Sequence, residues 1–140
     1  LSYKYARLRE RGYKSVIHLK NLDYQAVEYA SDLSSRAGMA AMENLLKENP
    51  PDAVFAVSDT LAAGALRAIQ QAGLRVPEDI AVVGFDGTEL ADMISLTTIE
   101  QPSRDIGRKA VDLLLNKIDN PDAPTERVMM DWRFISRAST

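Results

Sequence analysis

A-V-F-A-V-S-D-T at 53–60 and V-P-E-D-I-A-V-V-G-F-D at 76–86 decide how this chain is read. Two short apolar runs, Val54–Val57 and Ile80–Gly84, each lead to an acidic residue, Asp59 and Asp86. Runs of this length, bounded by turn signals, fit strands buried on both faces, as in a parallel sheet covered by helices. Between them Leu61, Ala62, Ala65, Leu66, Ile69 and Ala72 recur at helical spacing, and Gly73 supplies a stop. The unit is strand–helix–strand with a polar group at the carboxyl end of each strand. In open parallel sheets small ligands bind at that edge. The remainder of the chain reads as support for it.

Upstream, residues 1–24 open in a loop-like L-S-Y-K and continue as a charged helix with a broken apolar stripe (Tyr5, Leu8, Tyr13, Val16, Ile17, Leu19). Gly12 inside that stripe costs about 1 kcal/mol relative to alanine, which suggests a close helix contact. Gln25–Tyr29 reads as a strand. Ser34 or Ser35 caps the next helix, which carries Met39, Met42, Leu45 and Leu46, and Pro50-Pro51 ends it. Downstream, residues 87–96 are loop or one helical turn, Leu96–Ile99 a short β-branched strand, and Pro102 starts a helix presenting Ile106, Ala110, Leu113, Leu114 and Ile118. After the turn at 120–124, Arg127–Ile135 reads as a final strand, in which Trp132 packs ordinarily. Strands alternating with helices give an α/β, Rossmann-like parallel sheet flanked by helices.

With 140 residues and 15.5 kDa the chain is at most one domain, long enough to bury a real core. Its net charge of −3 provides no general attraction to nucleic acid or anionic lipid. The absence of cysteine excludes disulfides and thiolate metal sites. No apolar stretch approaches the roughly 18–20 residues of a membrane helix, and no signal-peptide pattern opens the chain. The start lacks a Met, so the chain is expected to be a piece of something longer.

Little here resembles catalytic machinery. His18, the single histidine, lies on the charged helix with no partner in sequence, so a Ser-His-Asp arrangement with Ser58 has no candidate base. No metal-ligand spacing occurs, no cofactor motif is present, and G-F-D-G at 84–87 is no phosphate loop. Met39 and Met42 read as core. Asp86 either caps the following turn or accepts hydrogen bonds from a ligand's hydroxyls; the pattern leaves both open. Asp59 stands at a helix start, where capping is the expected role. Arg9 is one of three closely spaced arginines, and a solvated face explains it equally well. From the residues alone, this is a parallel α/β ligand-binding lobe.

Those stretches, taken together, resemble the effector-binding core of the lac repressor/Gal repressor family of bacterial transcription regulators. A-R-L-R-E-R-G-Y at 6–13, P-D-A-V-F-A-V-S-D-T-L-A-A-G-A-L-R-A-I at 51–69, G-L-R-V-P-E-D-I-A-V-V-G-F-D at 73–86, L-T-T-I-E-Q-P at 96–102, I-G-R-K-A-V-D-L-L-L at 106–115 and the R-A-S-T ending carry the likeness. It implies two lobes of type I periplasmic-binding-protein form with a ligand cleft between them. Residues 1–95 would be the carboxyl-side lobe without its first strand. Residues 96–124 would be a crossover strand and a helix of the other lobe, and 125–140 the final strand and tail. The other lobe and an amino-terminal DNA-binding headpiece lie outside this chain.

Carried over by resemblance, Arg9 clamps ligand polar atoms and Asp86 accepts from them. Gln101 lies near hinge and cleft. Ser58 stands where the family often has Asn, ahead of Asp59, and Leu33 where an aromatic often stacks on the ligand. These two departures leave an apolar or phosphorylated effector as the alternative to a sugar. Leu61, Ala62, Ala65, Leu66 and Ile69, with the 88–95 segment, match a dimer face.

The resulting expectation is a non-enzymatic, cytoplasmic sensor without cofactor or metal. It would bind a small-molecule effector, a sugar or sugar derivative, have no membrane partner, reach operator DNA only through the headpiece, and work as a homodimer. A periplasmic sugar-binding protein of a transport system is the alternative with the same architecture. A small α/β hydrolase using Ser58 is the alternative from another class.

Overall fold

Three short parallel strands carry the sheet. The computed structural model describes residues 3–23 and 25–140. Strands β1 (Ala53–Phe55), β2 (Ala81–Asp86) and β3 (Thr97–Glu100) lie in that order, and β4 (Arg133–Ile135) joins β3 antiparallel. Val54 stands opposite Val82, Gly84 opposite Thr98 and Asp86 opposite Glu100. The helices are α1 (Lys4–Leu19), α2 (Ser35–Glu48), α3 (Asp59–Gln71), α4 (Glu89–Met93) and α5 (Ser103–Asp119). This is the expected α/β class with a mainly parallel sheet.

The strands differ on their two faces. Val82 is buried in the core, and a Cβ at Gly84 would meet Asp59 Oδ1 at 2.5 Å and Leu96 at 2.7 Å. Val83, by contrast, lines a large concavity beside α1 and α2, and Phe85 touches Arg9 of α1. Val82 and Gly84 therefore face α3, and Val83 and Phe85 face α1.

Helices α2 and α3 meet backbone to backbone, because the contact is made at glycines. A Cβ at Gly38 would stand 2.3 Å from the Leu61 carbonyl oxygen, and one at Gly64 1.9 Å from that of Ser35. Both helices are capped by serine: Ser34 Oγ accepts from the Ala37 N–H at 3.2 Å, and Ser58 Oγ from the Leu61 N–H at 3.3 Å. Met42, Ile69, Ile80, Val82 and Leu96 are almost entirely buried between these helices and the sheet. Burying each such side chain contributes about 1.5–3 kcal/mol.

The R-A-S-T tail fills the gap before β2 and β3 begin to pair. Ser139 Oγ donates to the Val82 carbonyl at 2.6 Å and accepts from the Thr97 N–H at 2.8 Å. The Val82 N–H donates to the Ser139 carbonyl at 2.8 Å. Arg137 donates to the Leu96 carbonyl at 2.6 Å and pairs with Asp92, tying α4 to the same edge.

Several expectations are corrected. Gln25–Tyr29 is not a strand: it is irregular chain that joins none of the four strands, and β1's outer edge stays unpaired among the described residues. The final strand is three residues, not nine, and Trp132 precedes it with 64% of its surface exposed. Gly12 has nothing within 4 Å, since α1 buries none of its residues; the close helix contact belongs to Gly38 and Gly64. Of the loop-like opening, Leu1 and Ser2 lie outside the described residues, and Lys4 is already helical. Asp59 does not cap α3; Ser58, one residue earlier, does.

Leu61, Ala62, Ala65 and Ile69 are packed inside this chain, covered by α2 and the sheet, and cannot form an outward face. Only Leu66 of that set is half-buried, beside Ala63, Arg67, Gln70 and Ile94 in a shallow depression.

Candidate functional site

Asp86 ends β2, and its φ of +124° places a non-glycine residue in a strained conformation. Side chains of successive strand residues ordinarily point to opposite faces. Here Phe85 and Asp86 both reach Arg9, so the strained backbone breaks the alternation. Gly87 follows at φ +70°, where a Cβ would stand 2.5 Å from that of Glu100. The turn is held by its partner strand: Gln101 Nε2 donates to Asp86 Oδ1 at 2.9 Å, and the Gln101 N–H to the Asp86 carbonyl at 3.4 Å.

Arg9 reaches this edge from α1. Its Nη2 lies 3.6 Å from Asp86 Oδ1, and its Nη1 donates to the Val57 carbonyl at the end of β1 at 2.5 Å. The guanidinium carbon stands 3.5 Å from the Phe85 ring centre and 4.9 Å from that of Tyr5. Arg9, Asp86 and Gln101 thus come together from three separate stretches of sequence, at the carboxyl ends of the strands.

Burial works against both charges. It pushes the Asp86 carboxyl up from its ordinary range, with Arg9 pulling back, Asp59 adding repulsion and the Gln101 hydrogen bond opposing it. It likewise lowers the Arg9 guanidinium, which Asp86 and then Tyr5 partly restore. A half-buried, opposite-charge pair that does not fully compensate its own desolvation gains from a ligand supplying further hydrogen bonds.

The other expected site residues are placed differently. Asp59 is fully buried and internally engaged: Oδ2 accepts from the Thr88 N–H at 2.8 Å and the Thr88 hydroxyl at 2.9 Å, and Oδ1 from the Thr98 hydroxyl at 2.6 Å. It fastens the start of α3 to the turn after Asp86 and to β3. Ser58 is buried, with its oxygen occupied as the α3 cap. Leu33 is exposed at the rim of a concavity of about 1010 Å³ that Arg9, Tyr29, Phe55 and Val57 also line. Sequence reasoning did not place Phe85, Tyr5, Thr88 or Thr98 in the site, Tyr5 reading only as part of an apolar stripe. Phe85 carried one signal, its place immediately before the acidic strand end.

Among the described residues no group of histidine and acidic side chains is spaced to hold a metal ion. No described helix is long and apolar enough to cross a membrane.

Residues 2–140 match the family of periplasmic binding protein-like domains. The chain is 37% identical over 138 residues to the ribose operon repressor of Escherichia coli strain K12, an alignment covering 96% of this chain and 42% of that protein. It is similar to a LacI family transcriptional regulator from Enterococcus faecium with bound ribose (TM-score 0.85, 32% identity, 94% of this chain and 50% of that one). It is also similar to the lac repressor dimer bound to operator and the anti-inducer ONPF (TM-score 0.87, 34% identity, 97% and 48%). The chain spans less than half the length of the curated repressor it matches. Sequence and backbone agree along nearly the whole chain, which belongs to the LacI family of transcriptional regulators and to their periplasmic-binding-protein-like effector-binding region.

Proposed function

We propose that this chain is part of the sugar-sensing region of a DNA-binding repressor and has no catalytic role. The observation that carries the reading is the Arg9–Asp86–Gln101 constellation on a strained strand end. It offers an acceptor, a planar charged donor and an amide side by side, which suits a ring bearing adjacent hydroxyls. Arg9 and Asp86 already neutralise one another, which favours a neutral sugar over a phosphorylated one. The ribose-bound relative supports the same class.

The array is one wall of a cleft whose other wall belongs to the rest of the full-length protein. Residues 1–95 then form the near lobe, and β3, α5 and β4 lead to the far one. α5 fits that assignment because it leaves Val111, Leu114, Leu115 and Ile118 exposed. A ligand bridging the lobes favours one lobe arrangement by its differential affinity, and the shift reaches operator DNA through a headpiece outside this chain. The protein works in the cytoplasm, as a homodimer through the outward side of α3 and the end of α4. The face so used is Ala63, Leu66, Arg67, Gln70 and Ile94, rather than the buried Leu61, Ala62, Ala65 and Ile69.

The test is calorimetric titration of the natural full-length protein with D-ribose, D-galactose, cellobiose and ribose 5-phosphate. At least one neutral sugar is expected to bind and to change retention of its operator in a gel-shift assay, with Asp86→Ala abolishing both. Binding of none of the neutral sugars, or equal binding by the Asp86→Ala variant, overturns the reading.

A further inference from the structure

Arg9 is held by more than charge. At 3.5 Å from guanidinium carbon to ring centre, the Phe85 ring and the guanidinium are at van der Waals contact, a separation that two flat groups reach only when stacked face to face. Phe85 in turn packs against Phe55 of β1, ring centres 6.4 Å apart and steeply inclined, so the face on which Arg9 rests is itself braced. Tyr5, one helical turn before Arg9 on α1, places a second ring 4.9 Å from the same carbon. The edge-on contacts lie in the remaining directions: the Val57 carbonyl takes one Nη1 hydrogen, and Asp86 stands near Nη2.

We propose that Phe85 is the positioning residue of the ligand site, its ring fixing the plane of the Arg9 guanidinium so that only an edge faces the ligand. The proposal rests on the reading of Arg9 as a ligand-binding residue. Its physical basis is entropic as well as electrostatic. A free arginine side chain carries substantial rotamer entropy, and a guanidinium already fixed in one plane loses less of it on binding. The strained φ of Asp86 then has a purpose: it brings the carboxylate and the aromatic ring, neighbours that would point apart in a regular strand, onto one guanidinium.

The test separates stacking from simple space-filling. In the natural full-length protein, Phe85→Leu removes the π-face while keeping an apolar side chain, and Phe85→Tyr retains it. In nitrogen–proton spectra without ligand, the Arg9 Nε–H resonance is expected to show a ring-current shift that Phe85→Tyr preserves and Phe85→Leu loses. In titration with the neutral sugar panel including D-ribose, Phe85→Leu is expected to weaken binding about 3- to 30-fold, and Phe85→Tyr to restore it to within about twofold. An Arg9 resonance indifferent to Phe85→Leu overturns the proposal. So does tyrosine binding no better than leucine. If Arg9→Ala leaves sugar affinity unchanged, or no sugar binds, the sugar-site reading fails, whereas the ligand-free spectrum still decides whether Phe85 positions Arg9.

Discussion

The block formed by α2, α3 and the first three strands contrasts with the two long helices beside it. In the block, helix backbones touch at glycines, and Asp59 and Ser139 knit the strands through buried hydrogen bonds. α1 and α5 have comparable amphipathic sequences and yet bury no residue of their own. Amphipathic pattern therefore makes a helix but does not by itself supply its packing partner. Arg9 is where the two regions meet, a side chain from a loosely packed helix held by the ends of rigid strands. A ligand site at such a seam can change geometry without unpacking the core.

The contrast is broken most severely at Gly64. A methyl there would stand 1.9 Å from the Ser35 carbonyl oxygen, so the two helix backbones must separate. Gly64→Ala is expected to cost more than about 3 kcal/mol in urea denaturation. A cost under 1 kcal/mol would mean that α2 and α3 are not in backbone contact.

Asp59→Ala comes next, at about 3 kcal/mol. It strands three donors, the Thr88 N–H and the hydroxyls of Thr88 and Thr98, in a buried place. Because Thr88 follows the Asp86 turn, the same variant is expected to weaken sugar binding. An unaltered melting curve would remove Asp59 from its role as fastener.

Leu114 tests whether α5 is as free as it looks. Its side chain is 60% exposed here. If the remainder of the full-length protein covers it, Leu114→Asp costs about 2 kcal/mol there by stranding a charge in an apolar contact. No loss of stability would leave α5 a solvated helix and detach it from the far lobe.

At Asp86 the expected effect has the opposite sign. Burial raises its carboxyl pKa in the folded chain, so the stability it contributes is present below the unfolded pKa and is lost as pH rises through the folded value. At neutral pH the charged group is therefore a liability to folding. Asp86→Asn, which also tolerates positive φ better than most residues, is expected to melt at or above the parent temperature at pH 7 while losing the sugar-induced rise in melting. The difference between the two proteins should shrink as the medium is made acid. A lower melting temperature at pH 7 would show that Asp86 is structural.

How much of this was legible in the sequence follows the same division. The central strand–helix–strand unit was readable because one face of α3 and alternate residues of β2 are buried, and such one-sided burial imposes periodicity. The sites of Arg9 and Asp86 came from resemblance, since nothing in spacing brings positions 9, 86 and 101 together. Asp59 was misread as a cap because its partners, Thr88 and Thr98, lie 29 and 39 residues away. Leu61, Ala62, Ala65 and Ile69 were read as outward-facing for a related reason. Small alanines at helical spacing look alike whether they face a partner chain or α2, and only the glycine contacts of α3 reveal which side is inward.

Gly12 gives the smallest effect and the cleanest counterpart to Gly64. Both are helix-interior glycines, and by composition alone both suggest a close contact. A Cβ at Gly12 meets nothing within 4 Å, so alanine there only restricts the unfolded chain and favours helix. Gly12→Ala is expected to stabilise by about 0.5–1 kcal/mol, a rise read in the same urea titration that shows the collapse of Gly64→Ala. If Gly12→Ala instead destabilises the full-length protein, another surface covers α1 at that point, and α1 is no looser than α3.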